Sequence, residues 1–296
     1  MLLLNSRKIF FDPAVLTVDV NNKNSTEARM ILKNAGKLRT NECPFASYQC
    51  YSFKLTNWST MQKSISISLF FVAFLLSFSA SAQGRYTIKG GDPNGINKWY
   101  MGRQIAHVMS HFGIDWLERQ EREMEENTSQ LLKNLDVKPG MIIADIGAGS
   151  GYHSALLSKK VGNGKVYAVD VEPEMIAYLN KRIKQEKLSG IVPVLSKETS
   201  VSLPENTVDL VLLVDGYHEF SYPYEMGISM LKALKPGGKL VLVEFRSEDA
   251  EVPIKDIHKM SEAQSIKELK AAGFVFDKNI KNLPWQHCMI FIKPTN

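Results

Sequence analysis

Three glycines in five positions, Gly147, Gly149 and Gly151, follow Asp145 at the end of the apolar run 141–146. Glycine tolerates positive φ and carries no Cβ, so such a loop lets a ligand approach the backbone. The helix expected from Ser150 turns its free N–H groups toward that ligand. Nineteen residues past Gly151, a second apolar run ends in Asp170, where a carboxylate can take both hydroxyls of a ribose. A third ends in Asp215 and leads into Tyr217-His218-Glu219-Phe220, which carries an imidazole able to act as general base. His107 and His111 lie four apart on an expected helix and share a face. No third ligand stands at a telling spacing beside them, so no metal is expected.

The elements that must position these residues alternate from residue 141 onward. Strands at 141–146, 165–170, 191–196, 208–215 and 239–245 are interleaved with helices at 150–161, 173–187 and about 222–234. Continuous apolar runs bounded by Gly, Pro and Asp predict an α/β fold, a doubly wound and mainly parallel sheet covered on both faces. A helix at about 261–271 and strands at 274–280 and 286–292 follow. In an open parallel sheet the ligand sits beyond the carboxyl ends of the strands, where strand order reverses. The loops 145–152, 170–172 and 215–220 therefore converge on one crevice. That crevice is rich in acids, so it suits a cationic ligand better than a pyrophosphate. The spacing Gly-x-Gly-x-Gly also departs from the dinucleotide fingerprint Gly-x-Gly-x-x-Gly, and the chain has no Tyr-x-x-x-Lys pair.

Asp145 with its glycine loop, Asp170, the strand ending in Asp215, and Leu234-Lys235-Pro236-Gly237-Gly238 stand in the order found in class I S-adenosylmethionine-dependent methyltransferases, which this chain resembles from about Gly95 onward. The resemblance implies a three-layer, seven-stranded Rossmann-like sheet ending in an antiparallel hairpin, with S-adenosyl-L-methionine as cofactor. It implies that Asp145 accepts from the cofactor's amino group or a bound water, and that Gly147, Ala148, Gly149 and Gly151 admit its methionyl and ribosyl parts. Asp170 would take the ribose diol, Val171 would border the adenine, and Glu198 or its backbone would meet the adenine amine. Asp215 would face the same crevice. His218, with Tyr217, is assigned as base or acceptor orienter. The stretch 215–220 is similar to that of the ubiquinone and menaquinone C-methyltransferases, and Gly-Ser-Gly-Tyr-His to that of protein L-isoaspartate O-methyltransferases. The acceptor is therefore expected to be a small molecule, with a protein carboxyl as alternative. A further alternative is a non-catalytic module on the same scaffold.

Ahead of this region, residues 99–135 read as helical, with Ile105, Val108, Met109 and Phe112 and then Trp116, Leu117, Leu131, Leu132 and Leu135 three or four apart. They form an expected lid in which Tyr100, Arg103 and Trp116 help to shape the acceptor pocket, and the charged run 118–126 is a solvated face. Residues 83–98 read as a flexible tether, and 136–296 as the methyltransferase domain. Residues 61–82 have one lysine, an apolar run of about 14 residues and Ala80-Ser81-Ala82, the layout of a cleaved secretory signal. The apolar run falls short of the roughly 20 residues a spanning helix needs. Residues 1–60, Asn-rich and without periodicity, read as a disordered upstream extension, with Met61 the true start. Lys and Arg number 9 against 4 acids in residues 1–82, but 27 against 27 in 83–296, so the whole net charge of +5 lies in the front end. With no basic stripe, a nucleic-acid partner is not expected. A periplasmic or secreted location follows from the signal, or a cytoplasmic one if the signal is not used. Cys288 is the single cysteine after residue 82, so no intrachain disulfide forms there.

Overall fold

The computed structural model describes residues 84–295; the expected extension at 1–60 and the signal at 61–82 lie outside the described residues. The chain enters through three short strands, Tyr86–Ile88 (β1), Gly95–Tyr100 (β2) and Arg103–Ala106 (β3), paired as an antiparallel meander. A 3-10 turn at His111–Gly113 and three short helices follow: Ile114–Leu117 (α1), Arg122–Glu126 (α2) and Thr128–Asn134 (α3). Then come Ile142–Ile146 (β4), Tyr152–Val161 (α4), Lys165–Asp170 (β5), Pro173–Gln185 (α5), Ile191–Leu195 (β6), Val208–Val214 (β7), Pro223–Ala233 (α6) and Leu234–Phe245 (β8). Glu262–Ala271 (α7), Val275–Asn279 (β9) and Gln286–Ile292 (β10) complete the chain.

The main sheet has seven strands in the order β6-β5-β4-β7-β8-β10-β9. The first five are parallel, and β10 runs antiparallel to both β8 and β9. This is the expected α/β architecture with its terminal hairpin. Side chains alternate between faces along each strand. Ile143, Leu210, Leu212, Val241 and Val243 pack with Leu131 of α3 and Leu157 and Val161 of α4. Ala144, Ile146, Val211, Leu213 and Leu242 pack on the other face with Met226 and Met230 of α6 and Leu269 of α7. Leu179 of α5 sits against Ala168 and Ile191. Each such aliphatic side chain contributes about 1.5–3 kcal/mol on leaving water, which fixes strand register on both faces. From β4 the chain winds outward to β5 and β6, then returns to β7 on β4's other side. The switch point therefore lies beyond the carboxyl ends of β4 and β7.

The amino-terminal part departs from the sequence reading. Residues 83–98 were expected as a tether and 99–112 as helix, yet 86–106 form the meander. Met101 and Gly102, at φ 49° and 100°, make the tight two-residue turn joining β2 to β3, as a type I′ hairpin turn requires. The helical spacing of Ile105, Val108, Met109 and Phe112 is coincidental. Ile105 is fully buried in a strand, whereas the other three are exposed. His107 and His111 consequently do not share a helix face. The charged run 118–126 is not wholly solvated either: Arg122 and Glu126 are 4% and 3% exposed and paired at 2.8 Å. Among the described residues no helix is long and apolar enough to cross a membrane.

Candidate active site

A cavity of about 400 Å³ opens at the switch point, within the range of small-molecule sites. At one end the glycine loop folds against β5. The Gly149 N–H donates to Asp170 Oδ2 at 2.8 Å, and the Glu172 N–H donates to Oδ1 at 2.9 Å. Each carboxylate oxygen keeps a second lone pair for a ligand. Burial pushes Asp170 above the ordinary carboxylate range, although these two N–H groups pull the other way. Gly147, at φ 69°, has open space where a Cβ would stand, and it lines the cavity. Gly151, at φ 82°, lets the backbone approach α5: a Cβ there would stand 2.4 Å from Leu179 Cδ1.

The other end is built from side chains that arrive from distant segments. The 3-10 turn Tyr217–Glu219, which follows β7, carries His218, 2% exposed. Its Nδ1 lies 2.7 Å from Oε2 of Glu244, a fully buried acid near the end of β8. Glu244 also accepts from the backbone N–H of Tyr217 at 2.8 Å. An acceptor-only carboxylate at Nδ1 fixes the proton there and leaves Nε2 as an acceptor at the cavity wall, 3.1 Å from His258 Nδ1. Burial opposes the charge on His218, but Glu244 and Glu219 outweigh it and raise its pKa. Burial pushes Glu219 up to about 7. His258, on the 3-10 turn Asp256–His258, is lowered to about 4 by burial and by the facing His218. Arg103 of β3 locks this end in place. Its guanidinium forks onto Glu268 of α7 at 2.9 and 3.0 Å, and donates to the His218 carbonyl at 2.9 Å.

Of the residues expected at the site, Gly147, Gly149, Asp170, Val171, Glu198, Asp215 and His218 line this one cavity. Asp145, Ala148, Gly151 and Tyr217 are not in its wall. Asp145 Oδ2 accepts from Ser154 Oγ of α4 at 2.6 Å, and burial pushes it up to about 6. It stiffens the loop from behind rather than facing a ligand directly. Tyr217 is fully buried, and burial and the Glu268 charge push its phenol well above the usual range. It is therefore a core residue. Asp215 accepts from Gln286 Nε2 at 2.7 Å through Oδ2, while its buried Oδ1 has no partner. Burial, then the charges of Glu126 and Glu244, raise its pKa well above normal.

Of the expected lid residues, Trp116 reaches the cavity, whereas Tyr100 is core and Arg103 is a brace. Arg246, which follows β8, donates to the Leu283 and Gln286 carbonyls at 3.1 and 3.2 Å and is not in the cavity wall. Sequence reasoning missed Glu244 and the Arg122–Glu126 pair. A lone acid inside the apolar run of β8 and an Arg four residues before a Glu are the signals that could have found them.

The donor set fits S-adenosyl-L-methionine. Acids outnumber bases in the wall: Glu126, Asp170, Glu198, Asp215 and Glu219 against Arg122, Lys197 and Lys255. Arg122 and Glu126 are paired with each other, which leaves Asp170, Glu198, Asp215 and Glu219 against Lys197 and Lys255. A wall of carboxyl oxygens offers acceptors to an ammonium and to ribose hydroxyls rather than the cluster of donors a pyrophosphate requires.

Residues 144–242 match the family described as Methyltransferase domain. A protein-L-isoaspartate O-methyltransferase of Pyrococcus horikoshii is 28% identical over 112 residues, 38% of this chain and 48% of that protein. The ubiquinone/menaquinone biosynthesis C-methyltransferase UbiE of Shewanella pealeana is 27% identical over 150 residues, 50% of this chain and 58% of that protein. This chain thus spans about half the length of the curated relatives it matches. The crystal structure of a SAM-dependent methyltransferase from Aquifex aeolicus superimposes with a TM-score of 0.60 at 26% identity, covering 63% of this chain and all of that one. Residues 144–242 thus match a methyltransferase domain within a Rossmann-like fold, and that match and the fold together imply S-adenosyl-L-methionine as the cofactor.

Proposed function

We propose that this chain transfers a methyl group from S-adenosyl-L-methionine to a small-molecule acceptor. The observation that carries the proposal is the glycine loop tied to Asp170 at the floor of an acid-rich cavity whose far end presents a buried, carboxylate-oriented imidazole. When bound, the cofactor supplies a methyl group already activated by a positive sulfur, so the protein's task is mainly alignment and exclusion of water. Asp170 holds the ribose end through its spare lone pairs, with Glu198 at the rim near the adenine. Gly147 gives backbone access, and Asp145 keeps the loop in shape through Ser154. His218, its tautomer set by Glu244, offers Nε2 to a proton on the acceptor. Val108, Met109 and Trp116, all partly exposed at the cavity wall, favour an acceptor with an apolar portion.

A second reading, methylation of a protein carboxyl, draws on the similarity to the isoaspartate methyltransferase. The test is transfer of labelled methyl to an extracted small-molecule pool and, in parallel, to an isoaspartyl peptide. Label in the pool supports the first reading, label in the peptide the second, and label in neither a non-catalytic scaffold. We also propose export through the segment 61–82, on the strength of its charge, apolar run and Ala-x-Ala ending. S-adenosylmethionine is made in the cytoplasm, so export requires that the cofactor reach the exported enzyme. Amino-terminal sequencing of the natively expressed protein decides this: a start at Gln83 supports it, and a start upstream of Met61 opposes it.

A further inference from the structure

Three side chains at the acceptor end stand closer and with more order than general acid–base work needs. His218 Nε2 lies 3.1 Å from His258 Nδ1, and Glu219 Oε1 lies 3.7 Å and 3.9 Å from those two nitrogens. Donors bonded at about 2.0–2.1 Å to one tetrahedral ion stand about 3.4 Å apart, so this triangle needs only small adjustments to close on one. All three line the cavity, and their ligand atoms lie within 4.8 Å of one another. Among the ion pairs of the described residues, Glu219 meets only these two imidazoles, so a largely buried carboxylate has no permanent cation beside it. Glu244 on His218 Nδ1 completes the carboxylate–histidine relay that orients ligating imidazoles and raises their basicity.

The geometry points to a divalent transition-metal site formed by His218, Glu219 and His258 at the acceptor end of the cavity. Two imidazoles and one carboxylate suit Zn²⁺ and its first-row neighbours, whereas Mg²⁺ prefers an all-oxygen shell. With an ion on Nε2, His218 would hold the metal instead of acting as base, and the metal would lower the pKa of a coordinated hydroxyl so that its proton passes to solvent. This rests on the methyl transfer proposed above, for which the acceptor is then an oxygen ligand such as a phenol, an enol or a hydroxy acid. The other cluster with ligand-like spacing, His111 with Glu172 and Glu174, is more exposed and lacks any such buttress. It carries no comparable inference.

The test is titration of ZnCl₂, with CoCl₂ as an optical probe and MgCl₂ as control, into the purified full chain after chelator treatment and dialysis. The site predicts one equivalent of Zn²⁺ bound, visible absorption bands with Co²⁺, and no heat with Mg²⁺. Glu219→Gln and His258→Ala should each weaken Zn²⁺ by at least about 100-fold, and Glu244→Gln by about 10–100-fold. His287→Ala, whose ring pairs with Glu248 elsewhere, should leave the affinity unchanged. Because Glu244 is fully buried and its variant could unfold, the partly exposed His258 is the decisive position. Absence of Zn²⁺ binding, or binding that persists in His258→Ala and Glu219→Gln as it would on Cys43 and Cys50, overturns the site. Titration of S-adenosylmethionine into the same samples separates the two readings. Cofactor binding without metal sinks this inference alone; metal binding without cofactor upholds the metal site and sinks the proposed function.

Discussion

The two ends of the cavity are built on different principles. The cofactor end is backbone: Gly147, Gly149 and Gly151, all at positive φ, with two N–H groups closing on Asp170, all drawn from the single stretch 147–172. The acceptor end is side chain: His218 after β7, Glu244 in β8, His258 beyond it and Arg103 from the entering meander, held together by hydrogen bonds across up to 165 residues. A site made of backbone needs particular residue types at fixed spacing, so it leaves a signature in a linear sequence. A site made of converging side chains leaves at most an isolated residue such as His218, and its partners stay hidden until the fold has brought them together. The first can serve any protein that binds this cofactor, while the second can diverge with the acceptor.

Breaking the acceptor end alone should have the largest effect on stability. Arg103→Leu leaves Glu268, which is fully buried, without its cation, and should cost about 3–5 kcal/mol in a denaturant titration. The loss should be recovered in Arg103→Leu/Glu268→Leu if the ion pair, rather than the meander as a whole, is responsible.

At the cofactor end, Asp145 provides a pH signature. Its folded pKa of about 6 lies above the ordinary value of 3.8, so between those values the folded state holds more protons than the unfolded one. Stability therefore falls as pH rises through that window and levels off above about 6, by about 2–3 kcal/mol for this group. Asp145→Asn keeps an acceptor for Ser154 Oγ and removes the titration. The difference in Tm between variant and parent should move in the variant's favour from pH 4 to pH 7; a difference independent of pH would contradict the assignment.

Gly151→Ala puts a Cβ at φ 82° and against Leu179, and should destabilise by about 1–3 kcal/mol. Weakened binding of S-adenosylmethionine by the refolded variant would tie that strain to the loop. The smallest effect sharpens the division between the two ends: His258→Ala should leave affinity for S-adenosylmethionine within about twofold. A tenfold loss, about 1.4 kcal/mol, would mean that the two ends are not separable.

The same division explains what the sequence disclosed. Strands β4 to β8 were legible because a parallel strand buried on both faces is a continuous apolar run, as in Val208–Val214. The meander was not. Its pairing depends on a Met101-Gly102 turn that lacks the usual Asn-Gly or Asp-Gly signal, and Ile105, Val108, Met109 and Phe112 happen to repeat at helical spacing. Glycine spacing and strand-end acids pointed to Asp170 and Asp215. Imidazole chemistry singled out His218 with Tyr217 beside it, and the turn after β7 shows that His218 lines the cavity whereas Tyr217 is core. Glu244 looked like the end of a strand until its imidazole partner, 26 residues earlier, was beside it.

The central claim is that the backbone end holds S-adenosylmethionine, and isothermal titration of the purified chain tests it most directly, with S-adenosylhomocysteine as a second ligand and NAD as control. The account predicts micromolar binding of the first two, none of NAD, and a loss of about 100-fold in Asp170→Ala. Binding of NAD in their place, or equal cofactor affinity in Asp170→Ala, would contradict it.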